Sequence, residues 1–157
     1  MRGRPWLLLG SLLLALCSAG GRVVSAQLPS PRSAAVALEG LVVIGNLDGV
    51  ARLTPLELRR VFRGEQSLWA NGVAVTVVLP SPRSPFVDAV ARGVFDLSRA
   101  GMQRYWLSLV FQGRASPPVQ LESAEEMIAF VRRTPGAIAV IPAPVPEAAR
   151  RLLIQVP

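Results

Sequence analysis

Apolar residues in this chain follow two patterns. Leu41-Val42-Val43-Ile44 is a short unbroken apolar run closed by Gly45-Asn46, and Val73 to Leu79 is a second, entered from Asn71-Gly72. Runs of this length between turn residues read as strands buried on both faces. Elsewhere the spacing changes to three and four. Leu58, Val61 and Phe62 form one stripe; Phe86, Val90, Val94 and Phe95 a second; Met102, Tyr105, Trp106, Leu109 and Val110 a third; Met127, Ile128 and Val131 a fourth. Each reads as the buried face of a helix. Ala137 to Ile141 and Leu152 to Val156 supply two further short strands, separated by the proline-broken segment 142–146.

Local chemistry agrees with these divisions. Thr54-Pro55-Leu56-Glu57 offers an N-cap hydroxyl, a proline at the first helical position and an acid three residues after the cap. Ser123 with Glu126 repeats the capping box, Ser98 opens the third helix, and Ser84-Pro85 reads as the start of the second. Gly64 and Pro135-Gly136 read as stops. Strands alternating with helices predict a three-layer α/β/α domain.

The first residues carry a different signal. Arg2 and Arg4 precede an apolar run from Trp6 to Ala19, and Val24 and Ala26 place small residues where a signal peptidase reads them. The run is shorter than the roughly 20 residues that span a bilayer. The reading is a cleaved signal over 1–26, a flexible leader over 27–38 rich in proline and small residues, and one domain over 39–157, located in the periplasm or secreted. Cys17, the only cysteine, follows the bulky Leu16, which argues against a lipidation site.

Composition then limits the chemistry. There is no Lys and no His, so the formal charge of +7 comes from 17 Arg against 10 acids, and removal of Arg2, Arg4 and Arg22 leaves 14 Arg and +4. The arginines are scattered, which argues against a nucleic-acid groove but leaves room for a small anion. Without His, Lys or a mature Cys, the usual activated-nucleophile arrangements and the common zinc and copper ligands are missing. Glu125-Glu126, the adjacent carboxylate pair, lies in a helix first turn, where acids complement the exposed amides. The composition thus argues against an enzyme, and no cofactor is implied.

A longer set of landmarks runs through the domain: Phe62-Arg63-Gly64, Trp69-Ala70-Asn71-Gly72, Tyr105-Trp106, Phe111-Gln112-Gly113 with Pro117-Pro118, and Thr134-Pro135-Gly136-Ala137-Ile138. In this order they resemble the phosphate-binding periplasmic proteins of ABC importers, especially short single-lobe members. The resemblance implies one lobe of a type 2 periplasmic binding protein, a phosphate-like inorganic anion as ligand, and an envelope or ABC-transporter partner, with a homodimer as one way to complete a cleft. Its anion site would fall at Leu79-Pro80-Ser81-Pro82-Arg83-Ser84-Pro85-Phe86. That stretch keeps Ser81, Arg83 and Ser84 but lacks the family's Ser-Gly-Thr triplet, and its prolines remove backbone donors.

The candidate anion-binding residues are therefore Asn46, Ser81, Arg83 and Ser84. Each has a plainer reading beside it: Ser84 as an N-cap, Arg83 as a solvated surface charge, Asn46 as a turn residue after the first strand. Trp69, Tyr105, Trp106, Phe62 and Phe111 read as core and turn anchors rather than a stacking platform. The alternative function is a protein-interaction or assembly module of the envelope that kept the lobe without a ligand site. A third possibility, a basic domain holding nucleic acid or an anionic envelope polymer, would show steep salt dependence.

Overall fold

The computed structural model describes residues 38–157. The expected signal, and all but the last residue of the expected leader, lie outside the described residues. Leu38 itself packs against the core, and its carbonyl accepts from Leu41 N–H.

Five strands form one mixed sheet: β1 (Leu41–Gly45), β2 (Thr76–Pro80), β3 (Val119–Leu121), β4 (Ala137–Pro142) and β5 (Leu153–Ile154), in the order β3-β2-β4-β1-β5. β2 runs parallel to both β3 and β4, whereas β1 runs antiparallel to β4 and to β5. The second strand starts later than its apolar run suggests, because Val73 and Ala74 are spent on a tight turn: Trp69 N–H donates to Val73 O and Leu68 bridges Ala74. Sequence periodicity misses β3, three residues behind Pro117-Pro118, and also the 3₁₀ helix Glu147–Leu152.

Four α-helices cover the two faces. α1 (Pro55–Phe62) and α4 (Ala124–Arg133) each open on a complete capping box, Thr54 with Glu57 and Ser123 with Glu126. α2 spans Val87–Phe95, and α3 spans Arg99–Phe111 with Ser98 as its cap. On one face Leu58, Val61 and Phe62 of α1, Val90 and Phe95 of α2 and Trp106 of α3 pack on Val43, Leu79, Ile138 and Val140. On the other, Met127, Ile128 and Val131 of α4 and Ala149 of the 3₁₀ helix pack on Ile44, Val78, Ala139 and Ile141. Alternate β4 residues point to opposite layers, as the period of two requires. The architecture is the three-layer α/β/α sandwich that the alternation of elements predicts.

Of the expected anchors, Phe62, Trp69 and Trp106 are buried, and Tyr105 packs on the core while its hydroxyl donates to Arg63 O at 2.8 Å. Phe111 does not follow them. At the last position of α3 it is 82% exposed.

Candidate functional site

The parallel strands set the geometry. β2, β3 and β4 all finish at one end of the sheet, where the chain leaves β2 into Ser81-Pro82-Arg83-Ser84-Pro85. Ser81 N–H donates to Leu121 O, which ties the turn to β3. Ser84 N–H donates to Ser81 O, and Ser81 Oγ accepts from Arg83 N–H at 3.3 Å, so the turn folds over its own first hydroxyl.

Ser84 is not the N-cap of α2. The helix begins at Val87, its cap position is Phe86, and no side chain caps it. A further turn through Pro85 and Phe86 precedes the helix, so Ser84 stays outside it. Its carbonyl accepts from Val87 N–H, while its hydroxyl is buried, the residue being 4% exposed, with no hydrogen-bond partner among the described residues. Arg83 projects outward with its side chain 87% exposed and makes only a long 3.8 Å contact with Glu122.

Asn46 is not brought together with these three residues. It follows β1, which runs against β2, so its N–H donates to Ala137 O at the opposite end of the sheet. Ala137 is level with Thr76, and Pro80 lies four residues further on, roughly 13 Å at about 3.3 Å per residue. There Asn46 Nδ2 donates to Arg132 O at 3.1 Å, satisfying a carbonyl in the last turn of α4. The expectation that Asn46 shares a site with the β2 turn required β1 to run with β2.

The structure adds Arg99 to the turn. From the first position of α3 its guanidinium grips both carboxylate oxygens of Asp88 and donates to Pro82 O at 3.1 Å. The Arg99 hydrogen bond holds the Asp88 carboxyl below its usual pKa, and Asp88 in turn raises Arg99. The sequence held a faint signal of this: a cation at a helix N-terminus opposes the dipole, so it calls for an acid nearby. The N-terminus of α4, at the same end of the sheet, is already filled by its own acid, since Glu126 Oε2 accepts from the N–H groups of Glu122 and Ser123. Among the described residues no group of acidic, His or Cys side chains is arranged to hold a metal ion, and no helix is long and apolar enough to cross a membrane.

No family model matches the sequence, and no curated protein does. Among solved structures the chain is similar to an ABC-type phosphate transport receptor from Vibrio cholerae, with 18% sequence identity and a TM-score of 0.49. The match covers 74% of this chain and 46% of the receptor, so the chain spans less than half the length of that protein.

Proposed function

We propose that this chain is an extracytoplasmic solute-binding-protein-like domain, one lobe of the type 2 periplasmic kind, that takes phosphate or a similar inorganic oxyanion at the turn after β2. The observation that carries the reading is the buried, unpartnered hydroxyl of Ser84. It stands just before a helix whose first turn has no side-chain cap, where amides and dipole favour an anion. Arg83, in the same turn, supplies a guanidinium fork suited to an oxyanion, and Arg99 fixes the turn from below through Pro82 and Asp88. Asn46 has no part in this site. The extracytoplasmic location rests on Arg2, Arg4, the apolar run and the Val24 and Ala26 positions. An ABC-type uptake partner belongs to the same reading.

A solitary lobe leaves half of an anion's hydration shell in place, so affinity should be no better than about 1 mM, equivalent to about 4 kcal/mol. Calorimetric titration with phosphate and sulfate tests this. Saturable heat that disappears in Arg83→Ala and in Ser84→Ala supports the site; submicromolar binding by a monomer contradicts the single-lobe argument. The prolines at 80, 82 and 85 favour the second reading, an envelope interaction module, because they strip the turn of amide donors. Absence of any heat with either anion would favour it.

A further inference from the structure

The outer side of α3 carries large apolar residues among its exposed polar ones, Arg104 and Ser108. Met102, Trp106 and Leu109 are buried, yet Leu107 is 57% exposed and Phe111 more so. Large apolar residues thus stand on the exposed as well as the buried side of this helix. Beside it the helical layer is unfinished. Leu79 and Gln120, paired between β2 and β3, line a groove with α3 along one side and Pro117-Pro118 also at its wall. Its volume is about 690 Å³, within the range of about 300–1,000 Å³ usual for small-ligand sites.

Shape and charge narrow the occupant. α3 borders the groove from Ala100 to Val110, roughly 15 Å at about 1.5 Å per residue, so the space is long in one dimension. Eleven residues line it, against about 20–30 on each side of a stable protein interface. An added strand fits poorly as well, since β3 is only three residues long and follows two prolines, features that guard a sheet edge against pairing. Arg104 is the one charged residue at the groove, no acid lines it, and Arg104 takes part in none of the ion pairs among the described residues. An apolar trench with a single unpaired guanidinium matches a chain that ends in an anion.

We infer that this groove binds a monomeric anionic amphiphile, its alkyl chain laid along α3 and its carboxylate on Arg104. This site is separate from the oxyanion turn and does not depend on it.

The test uses the purified chain and dodecanoate kept below its micelle concentration, followed by calorimetry and by quenching of tryptophan emission with a brominated analogue, because Trp106 lines the groove. The expected result is saturable one-to-one binding. Arg104→Glu should weaken it about tenfold or more, and so should Leu107→Asp, which alters an exposed position and should leave the circular dichroism spectrum intact. Dodecyltrimethylammonium should bind about tenfold more weakly than dodecanoate. Three outcomes overturn the inference: no saturable binding, dodecanoate binding unchanged by both substitutions, or association with phosphatidylglycerol vesicles without binding of the monomer, which would make the face a membrane-docking surface.

Discussion

The indole N–H of Trp69 donates to the carbonyl of Gly136 at 2.9 Å, joining the turn before β2 to the residue that enters β4. Gly136 is also gripped from the other side, where its N–H donates to Asn46 O, and its carbonyl accepts from Thr76 N–H as well. Three segments remote in sequence thus meet at one glycine.

That crowding sets Gly136 apart from Gly113. Its φ is +79°, and a Cβ there would lie 2.2 Å from Ala74 O and 2.8 Å from Val73 Cγ1. Gly113 has a similar φ of +64°, but a Cβ there meets nothing within 4 Å. Gly113→Ala should cost about 1–2 kcal/mol, the penalty of the left-handed backbone alone. Gly136→Ala should cost clearly more, because backbone must move. Urea unfolding of the two variants checks this, and equal costs would show that the Ala74 contact relaxes freely.

The two buried tryptophans should respond differently to loss of the indole N–H. Trp69 Nε1 has its partner in Gly136, whereas Trp106 Nε1 is buried with none among the described residues. Both Trp→Phe changes remove packing volume, but only Trp69→Phe breaks a buried hydrogen bond. Trp69→Phe should therefore be the more destabilising by about 1 kcal/mol. A larger loss for Trp106→Phe would show that its N–H is satisfied in solution.

Asn46 should behave as a structural residue. Asn46→Ala removes the donor to Arg132 O at the end of α4 and should cost about 1 kcal/mol of stability. Any heat of phosphate binding should be unchanged. Loss of phosphate binding in a folded Asn46→Ala protein would return this residue to the ligand site.

The capping box of α1 should make stability pH-dependent in a predictable direction. Glu57 has its pKa lowered, first by the backbone N–H of Thr54 and then by the Thr54 hydroxyl. Because the folded value is depressed, the contribution is fully present above the unfolded value near 4.5. It is lost as pH falls through the folded value. The stability difference between the native chain and Glu57→Gln should thus be largest near neutrality and shrink in acid. A difference that stays constant across this range would mean that the carboxylate is not held by the cap. Glu57 is almost fully solvated, so the effect should be small.

Arg99 should set the order of the candidate oxyanion turn. Arg99→Ala removes its bonds to Asp88 and Pro82 together and should raise amide exchange across the segment 81–88. Arg99→Lys should restore this only in part, since an ammonium cannot reproduce the fork. Unchanged exchange in both variants would show that the turn is held by its own hydrogen bonds.

Much of this architecture is local, and the sequence alone determined it. Thr54 with Glu57 and Ser123 with Glu126 mark helix starts because the groups that satisfy each other lie three residues apart. The two Phe-x-Gly motifs have the same kind of origin. Gly64 and Gly113 each sit just past a helix at positive φ, and the next residues, Glu65 and Arg114, donate back to Arg60 O and Leu109 O. This is one C-terminal capping geometry used twice, so the likeness needs no internal repeat. The buried stripes of α1, α3 and α4 were equally legible, since each repeats at helical spacing.

Strand direction was beyond the sequence, because an apolar run reads the same in either orientation. Only the pairing of β1 with β4 shows that Asn46 and Ser81 close opposite ends of the sheet. β3 was hidden because three residues carry too little pattern, and its place comes from register with Val78, Leu79 and Pro80. Periodicity grouped Ser84 with a helix start and Phe111 with the core anchors. The structure puts an extra turn between Ser84 and the helix, and it leaves Phe111, at the last position of α3, in solvent. Spacing along the chain encodes what neighbours a few residues apart can do for each other, whereas burial and site assembly depend on which distant segments meet.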